Sequence, residues 1–404
     1  IVERYVQRGT ILDRNNQVIV QTSGQPGSYT RQIMHTALGP VIGYTHPIYG
    51  KAGLESSLDS YLRGALGNPS SAIVSANLLY AQTPPGVDVR LSLDLRMQTK
   101  ADTLLQGKSG ALVLINSFSG EILAMASHPT FDPNLLDEKW AEWIQDQRGI
   151  FLNRATQGQY PLGGAIGPFL LAETISTGYL PAPIYNAYTL FNGKTWTCSF
   201  GIPANAGWGE AIENGCPGAR LALSQQFSAA QLIQLYRRLG FTETPSLLLP
   251  VSPAGTLTND VQADQLALGQ SDLLVSPLQV ALAAAMMNPT GTRPTPHIAS
   301  AVRTPLQGWV ILGGETNIKS SAKLTSDSSA AEQLQSSGLP IWQSISTAQS
   351  AESEITWYIA GTLPDWQATP LALALVLEDG SPSQAREIGR EHVLVPADFE
   401  GDWV

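Results

Sequence analysis

Up to about residue 90 the chain alternates apolar and polar positions in short runs broken by Gly and Pro, as in GTILDRNNQVIVQTSG. Period-2 alternation on either side of Asn15-Asn16 predicts a hairpin turning at that pair. At LSLDLRMQTKADTLLQG a strand gives way to a helix whose apolar face takes Leu95, Met97, Leu104 and Leu105. GALVLINSFSGEILAMASHP then offers two apolar runs joined by Ser-Phe-Ser-Gly, an antiparallel hairpin signal. Helical spacing follows in FLLAETIS, SAAQLIQLYRRLGF and PLQVALAAAMMN; the last is apolar almost all round, which predicts a buried core helix. Strand patterns return in ITWYIAGTLP and PLALALVLED. Between these blocks GETNIKSSAKLTSDSSAAEQLQSSG is Ser-rich without aromatics and reads as loop or disorder.

This order predicts a mixed α/β (α+β) fold in two parts, a β-rich module over 1–90 and a domain over 91–404 in which helices cover an antiparallel sheet. A chain of 404 residues is long enough for both. Charged residues make up 14% of it, against about a quarter in an average domain, so the surface is neutral and polar. A net charge of −10 without clustered Lys or Arg argues against nucleic acid as a partner. No run reaches the roughly 18 apolar residues of a membrane span. The chain opens at IVERYVQRGTILDR with neither an initiator Met nor a signal-like apolar run, so membrane attachment is expected only through an N-terminal anchor outside the sequence. Cys198 and Cys216 lie 18 positions apart in WTCSFGIPANAGWGEAIENGCPG, which suits a disulfide closing a long loop in an oxidising compartment, with two free thiols as the alternative. The five histidines are scattered without ligand spacing, so no metal or other cofactor is expected.

Five landmarks carry a family resemblance. RGTILDRNNQVI and YGKAGLESSLDSYLRG resemble the amino-terminal module of class B penicillin-binding proteins, and GALVLINSFSGEILAMASHPTFDPN with NRATQGQYP resembles the opening of their transpeptidase domain. LALGQSDLLVSPLQVALAAAMMN is similar to a later stretch that in the family reads Gly-Gln-x-x-x-x-Val-Thr-Pro-Leu-Gln. The landmarks run nearly the whole chain in the family's order. The resemblance implies a penicillin-binding-protein or serine β-lactamase-like transpeptidase domain behind a pedestal or dimerisation-like module. It also implies the extracytoplasmic face of a bacterial membrane, with cell-wall synthesis or division proteins, or a peptidoglycan stem peptide, as partners.

Three motifs supply the family's chemistry. Ser-x-x-Lys places a nucleophile and an amine one helical turn apart, Ser-x-Asn adds a second hydroxyl and an amide, and Lys-Thr-Gly on an edge strand adds a cation beside the substrate peptide. Pro-x-Gly-Ser-x-x-Lys-Pro aligns with Pro161–Pro168, which puts Gly164 in the nucleophile slot and Gly167 in the lysine slot. Lys-Thr-Gly-Thr-Ala-Gln aligns with 344–349, leaving Ser344 for the lysine, Ser346 for the glycine, and Thr347 retained. Ser-x-Asn floats between Ser224-Gln225-Gln226 and Phe227-Ser228-Ala229, and neither has the asparagine. No catalytic residue is therefore assigned, and Gly164, Gly167, Ser344, Ser346 and Thr347 stand as degenerate active-site positions.

Other residues read more plainly as structure. Ser276 before Pro277 suits a helix N-cap, Asp137 and Glu138 a helix start, Asp132 a turn, and Trp140 with Trp143 packing on one helix face. Tyr160 has no neighbouring base in sequence, and Lys323 belongs to a polar loop. The expectation is a pseudoenzyme that binds or scaffolds in peptidoglycan synthesis. The alternatives are an active D,D-transpeptidase or carboxypeptidase with a relocated nucleophile, and a non-catalytic muropeptide sensor.

Overall fold

In the computed structural model, residues 5–80, 84–312, 324, 329–335, 339–349 and 354–394 are described. The strand Leu371–Leu377, LALALVL, is buried throughout. Because strand side chains alternate between faces, its leucines enter one apolar cluster while Ala372, Ala374 and Val376 enter another. The small-residue face meets the helix Pro277–Ala285, which is itself buried along its length and rich in alanine. Small side chains on both surfaces let helix and sheet approach closely. On the opposite face lie the helices Leu95–Leu105 and Pro382–Leu394.

That strand sits in a five-stranded antiparallel sheet ordered Ile341–Gln349, Glu354–Thr362, Leu371–Leu377, Gly110–Asn116 and Ile122–His128. Ile341–Gln349, which carries Ser344, Ser346 and Thr347, is therefore an edge. A six-stranded sheet takes Ile11–Leu12, Val18–Ser23, Thr30–Ile33 and Val89–Leu91 from the first part of the chain and Ala299–Thr304 with Gly308–Ile311 from much later. Ile11–Leu12 runs parallel to Val89–Leu91, and the other pairings are antiparallel. Thr30–Ile33 closes one end of this sheet.

Local chemistry explains several element boundaries. The hairpin turns at Asn15-Asn16 as its pattern predicts: Asn16 takes a φ of 62°, and the Asp13 carboxylate accepts from the Asn15 and Gln17 N–H groups at 2.8 Å each. Asp94 caps Leu95–Leu105 by accepting from Arg96 and Met97 N–H. Just ahead of the 198–216 loop stands a hairpin not visible in the pattern, Tyr188–Phe191 with Lys194–Thr197, turning at Asn192-Gly193, both at positive φ. Cys198 and Cys216 are bonded, with Cα atoms 4.0 Å apart, so the hairpin's exit is tied to the N-cap of the helix Pro217–Ser224. Most of the Ser-rich run 314–338, Lys323 included, lies outside the described residues; within it Ser329–Gln333 is helical.

Candidate functional site

The stretch NRATQGQYPLGGAIGPF folds into a cap, a short turn and a helix start. Asn153 caps Arg154–Gln157, accepting from Ala155 N–H. Gly163–Ile166 then makes a tight 3-10 turn leading into the helix Gly167–Ser176, with every residue from Leu162 to Ala172 buried. Gly163 has a φ of 52°, and a β-carbon there would stand 2.2 Å from Ala348 Cβ. Only glycine fits that position.

Position 164 is equally closed, for another reason. A β-carbon on Gly164 would lie 2.4 Å from Ser346 Cβ and 2.4 Å from Arg220 Nη1. One on Gly167 would lie 3.1 Å from Ile212 Cγ2 and 3.5 Å from Arg220 Cδ. The structure thus brings Gly164, Gly167 and Ser346 together around one arginine. Ser344, 1% exposed, donates its hydroxyl to Ile212 O at 2.9 Å, which closes the strand edge against the helix Trp208–Glu213. Ser346 is as deeply buried, and its Oγ has no hydrogen-bond partner.

Arg220 is the residue that the sequence reading missed. It extends from Pro217–Ser224, is 3% exposed, and donates from Nη1 to Gly215 O at 3.0 Å. Nε has no partner, and among the described residues no carboxylate pairs with it. Burial pulls its pKa down to about 10, which still leaves a cation at neutral pH. A signal existed: Arg220 lies three residues after Pro217 and three before Leu223, on the apolar stripe of PGARLAL.

Thr347 stands apart from this cluster. It is half-buried and lines a polar cleft of about 250 Å³ with Lys194, Thr197 and Gln349, where Lys194 Nζ donates to Gln349 Oε1. Gly215, which accepts from Arg220, also packs against the edge strand. A β-carbon on Gly215, next to Cys216, would meet Ile345 O at 2.5 Å and Ser346 Cα at 3.0 Å.

The remaining candidates take structural roles. Tyr160 donates to Glu378 Oε1 at 2.8 Å, and Glu378 pairs with Arg154 at the same distance. Burial first, and the Glu378 charge second, push the Tyr160 phenol far above its ordinary range, so it stays protonated and is no nucleophile. Ser276 is the N-cap of Pro277–Ala285 in a capping box with Gln279. Ser224 returns its hydroxyl to Leu221 O, Phe227 is core, and Ser228 caps Ala229–Arg238. Asp132 accepts from Asn134 N–H in a turn, Asp137 and Glu138 open Leu136–Trp143, and both tryptophans join a cluster with Phe131 and Phe151. Among the described residues no cluster of His, Cys, Asp or Glu could hold a metal ion, and no helix is long and apolar enough to cross a membrane.

A buried helix entering beneath an antiparallel sheet, with its first turn against an edge strand, is the layout of a transpeptidase domain, and residues 110–361 match the penicillin binding protein transpeptidase domain family. The chain belongs to that family. Among curated relatives, it is 29% identical over 283 residues to the peptidoglycan D,D-transpeptidase MrdA of Acinetobacter baumannii, covering 63% of this chain and 42% of that protein. It thus spans less than half of that relative's length. Penicillin-binding protein A from M. tuberculosis, solved as an imipenem acyl-enzyme complex, superposes with a TM-score of 0.80 at 22% identity, covering 98% of this chain and 100% of that one. The D,D-transpeptidase domain of a peptidoglycan glycosyltransferase from Eggerthella lenta gives 0.80 at 17% identity, with 98% and 100% covered. These likenesses establish the two-part fold, a mixed α/β transpeptidase domain with an N-terminal β module.

Proposed function

We propose that this chain is a penicillin-binding-protein-like pseudoenzyme of peptidoglycan synthesis or division, which binds and organises partners instead of transferring acyl groups. The contact among Gly164, Arg220 and Ser346 carries the reading. An acyl-enzyme needs a nucleophile with a base in reach and room for a substrate carbonyl. Position 164 has no side chain, position 167 has no amine, and the space between helix and edge strand is taken by a guanidinium. Membership of the family and the disulfide both favour the extracytoplasmic face of the membrane, with an N-terminal anchor outside the sequence and cell-wall synthesis proteins as partners.

The test is incubation of the purified chain with a fluorescent penicillin beside an active transpeptidase, followed by denaturing electrophoresis. No denaturation-resistant label is expected. A stable label would sink the reading in favour of a relocated nucleophile. A muropeptide sensor is the second reading, favoured by the polar cleft at Thr347 and Lys194. Calorimetric titration with a stem peptide separates the two: heat that disappears in Lys194→Ala supports the sensor, and none supports the scaffold.

A further inference from the structure

The outer edge of Thr30–Ile33 is half paired by a single side chain. Ile33 N–H donates to Asn134 Oδ1 at 3.0 Å, and Asn134 Nδ2 donates to Ile33 O at 2.9 Å. One amide thus makes the two main-chain bonds that a neighbouring strand would make. Met34 N–H points the other way, to Ile19 O at 2.8 Å on the adjoining strand. Since main-chain groups of alternate residues point alike in an antiparallel strand, Arg31 turns its N–H and C=O outward, one rung beyond Asn134. Among the described residues no strand pairs with that edge.

The rung opens into a groove of about 850 Å³, large beside the cleft at Thr347. Thr45 also lines the groove, with a buried hydroxyl that has no hydrogen-bond partner. Charge selects what fits. The groove's arginines, Arg8 and Arg31, are held by Glu55 and Asp59. Asp137 stands at the rim with 81% of its side chain exposed, its Oδ1 in contact with His46 Nε2 at 3.0 Å.

From this geometry we propose that the groove accepts a short extended segment of a partner protein, added as a strand to Thr30–Ile33, with a Lys or Arg facing Asp137. Main-chain bonds at Arg31 give the affinity and Asp137 selects for the basic residue. The site lies apart from the Gly164 cluster, so it stands whether or not the chain transfers acyl groups.

Phage-displayed random peptides of about seven residues, a common strand length, are selected on the whole chain and read by amide exchange in NMR. Expected binders carry Lys or Arg and slow exchange at the Arg31 amide about tenfold, while Ile33, already bonded, changes little. Thr45→Tyr, which narrows the groove with an aromatic ring, weakens them about tenfold, and Asp137→Asn weakens them about threefold. Pro47→Tyr, at an exposed groove position, repeats the block should Thr45→Tyr fold poorly. The proposal fails if selected peptides leave Arg31 exchange unchanged, if they bind both blocked variants equally, or if selection enriches nothing over a blocked variant. Concentration-dependent dimers that protect Arg31 without peptide would assign the edge to a second copy and overturn it too.

Discussion

Arg8 and Arg220 are both buried arginines, and their surroundings are opposite. Arg8 sits in the N-terminal part with Glu55 at 2.7 Å and Asp59 at 2.6 Å. Burial lowers its pKa, but the two carboxylates outweigh burial and hold it above the ordinary value. Arg220 has one carbonyl and no carboxylate, and burial prevails. A desolvated cation costs several kcal/mol unless its partners are arranged around it. The first region surrounds its arginines with carboxylates; in the second, among the described residues, a single carbonyl and no carboxylate meet the charge.

The largest test of that contrast is Glu55→Gln, which leaves Arg8 and Arg31 without their shared carboxylate. A loss of about 3–5 kcal/mol in urea unfolding is expected, and a loss below about 1 kcal/mol would erase the contrast. Next comes Cys198→Ser, which frees the loop that presses Gly215 onto Ser346; closing a loop of this size is worth about 3 kcal/mol. Reducing agent should bring the parent chain down to the variant's stability and leave the variant unchanged.

His392 adds a third buried base, kept neutral. It is 1% exposed with Nε2 at 3.0 Å from Met97 O, and burial pulls its pKa to about 4. In the unfolded chain the same group titrates near 6.5, so below that pH the unfolded state binds the proton first. Stability is therefore full above about 6.5 and is lost as pH falls toward about 4, by on the order of 2–3 kcal/mol. His392→Gln should flatten that limb of the profile; an equally steep limb would assign the acid sensitivity elsewhere. The smallest effect has the opposite sign. Arg220→Leu removes an uncompensated charge at similar volume and should leave the chain unchanged or about 1 kcal/mol more stable. A loss of 3 kcal/mol would show that Arg220 has compensation of its own.

Regular periodicity made most of the fold legible. LALALVL, PLQVALAAAMMN and the Asn15-Asn16 turn each state their element locally, because burial on both faces or on one leaves a period in the chain. The joining of Ala299–Thr304 to a sheet begun at Ile11 leaves no such mark, since nothing local encodes a distant partner strand. At the candidate site, alignment with a known motif order picks out Gly164, Gly167, Ser344, Ser346 and Thr347; the first two and Ser346 lie around Arg220, while Ser344 turns to Ile212 O and Thr347 to the cleft at Lys194. Arg220 was not legible that way, because an arginine within a helix ordinarily keeps its head in water. The Tyr188–Thr197 hairpin hid behind exposed strands whose alternation is weak.

Crowding at position 164 also sets an order on the changes this chain could undergo. A serine there meets Arg220 Nη1 and Ser346 Cβ at once, and the strand backbone fixes the second. The guanidinium is the end of a flexible side chain and can swing aside, but residue 346 must shrink first, and that change alone adds neither a hydroxyl nor an amine. A path to a working nucleophile therefore begins with a step that confers no chemistry, which selection for acyl transfer has no means of favouring. In this sense the glycine acts as a ratchet.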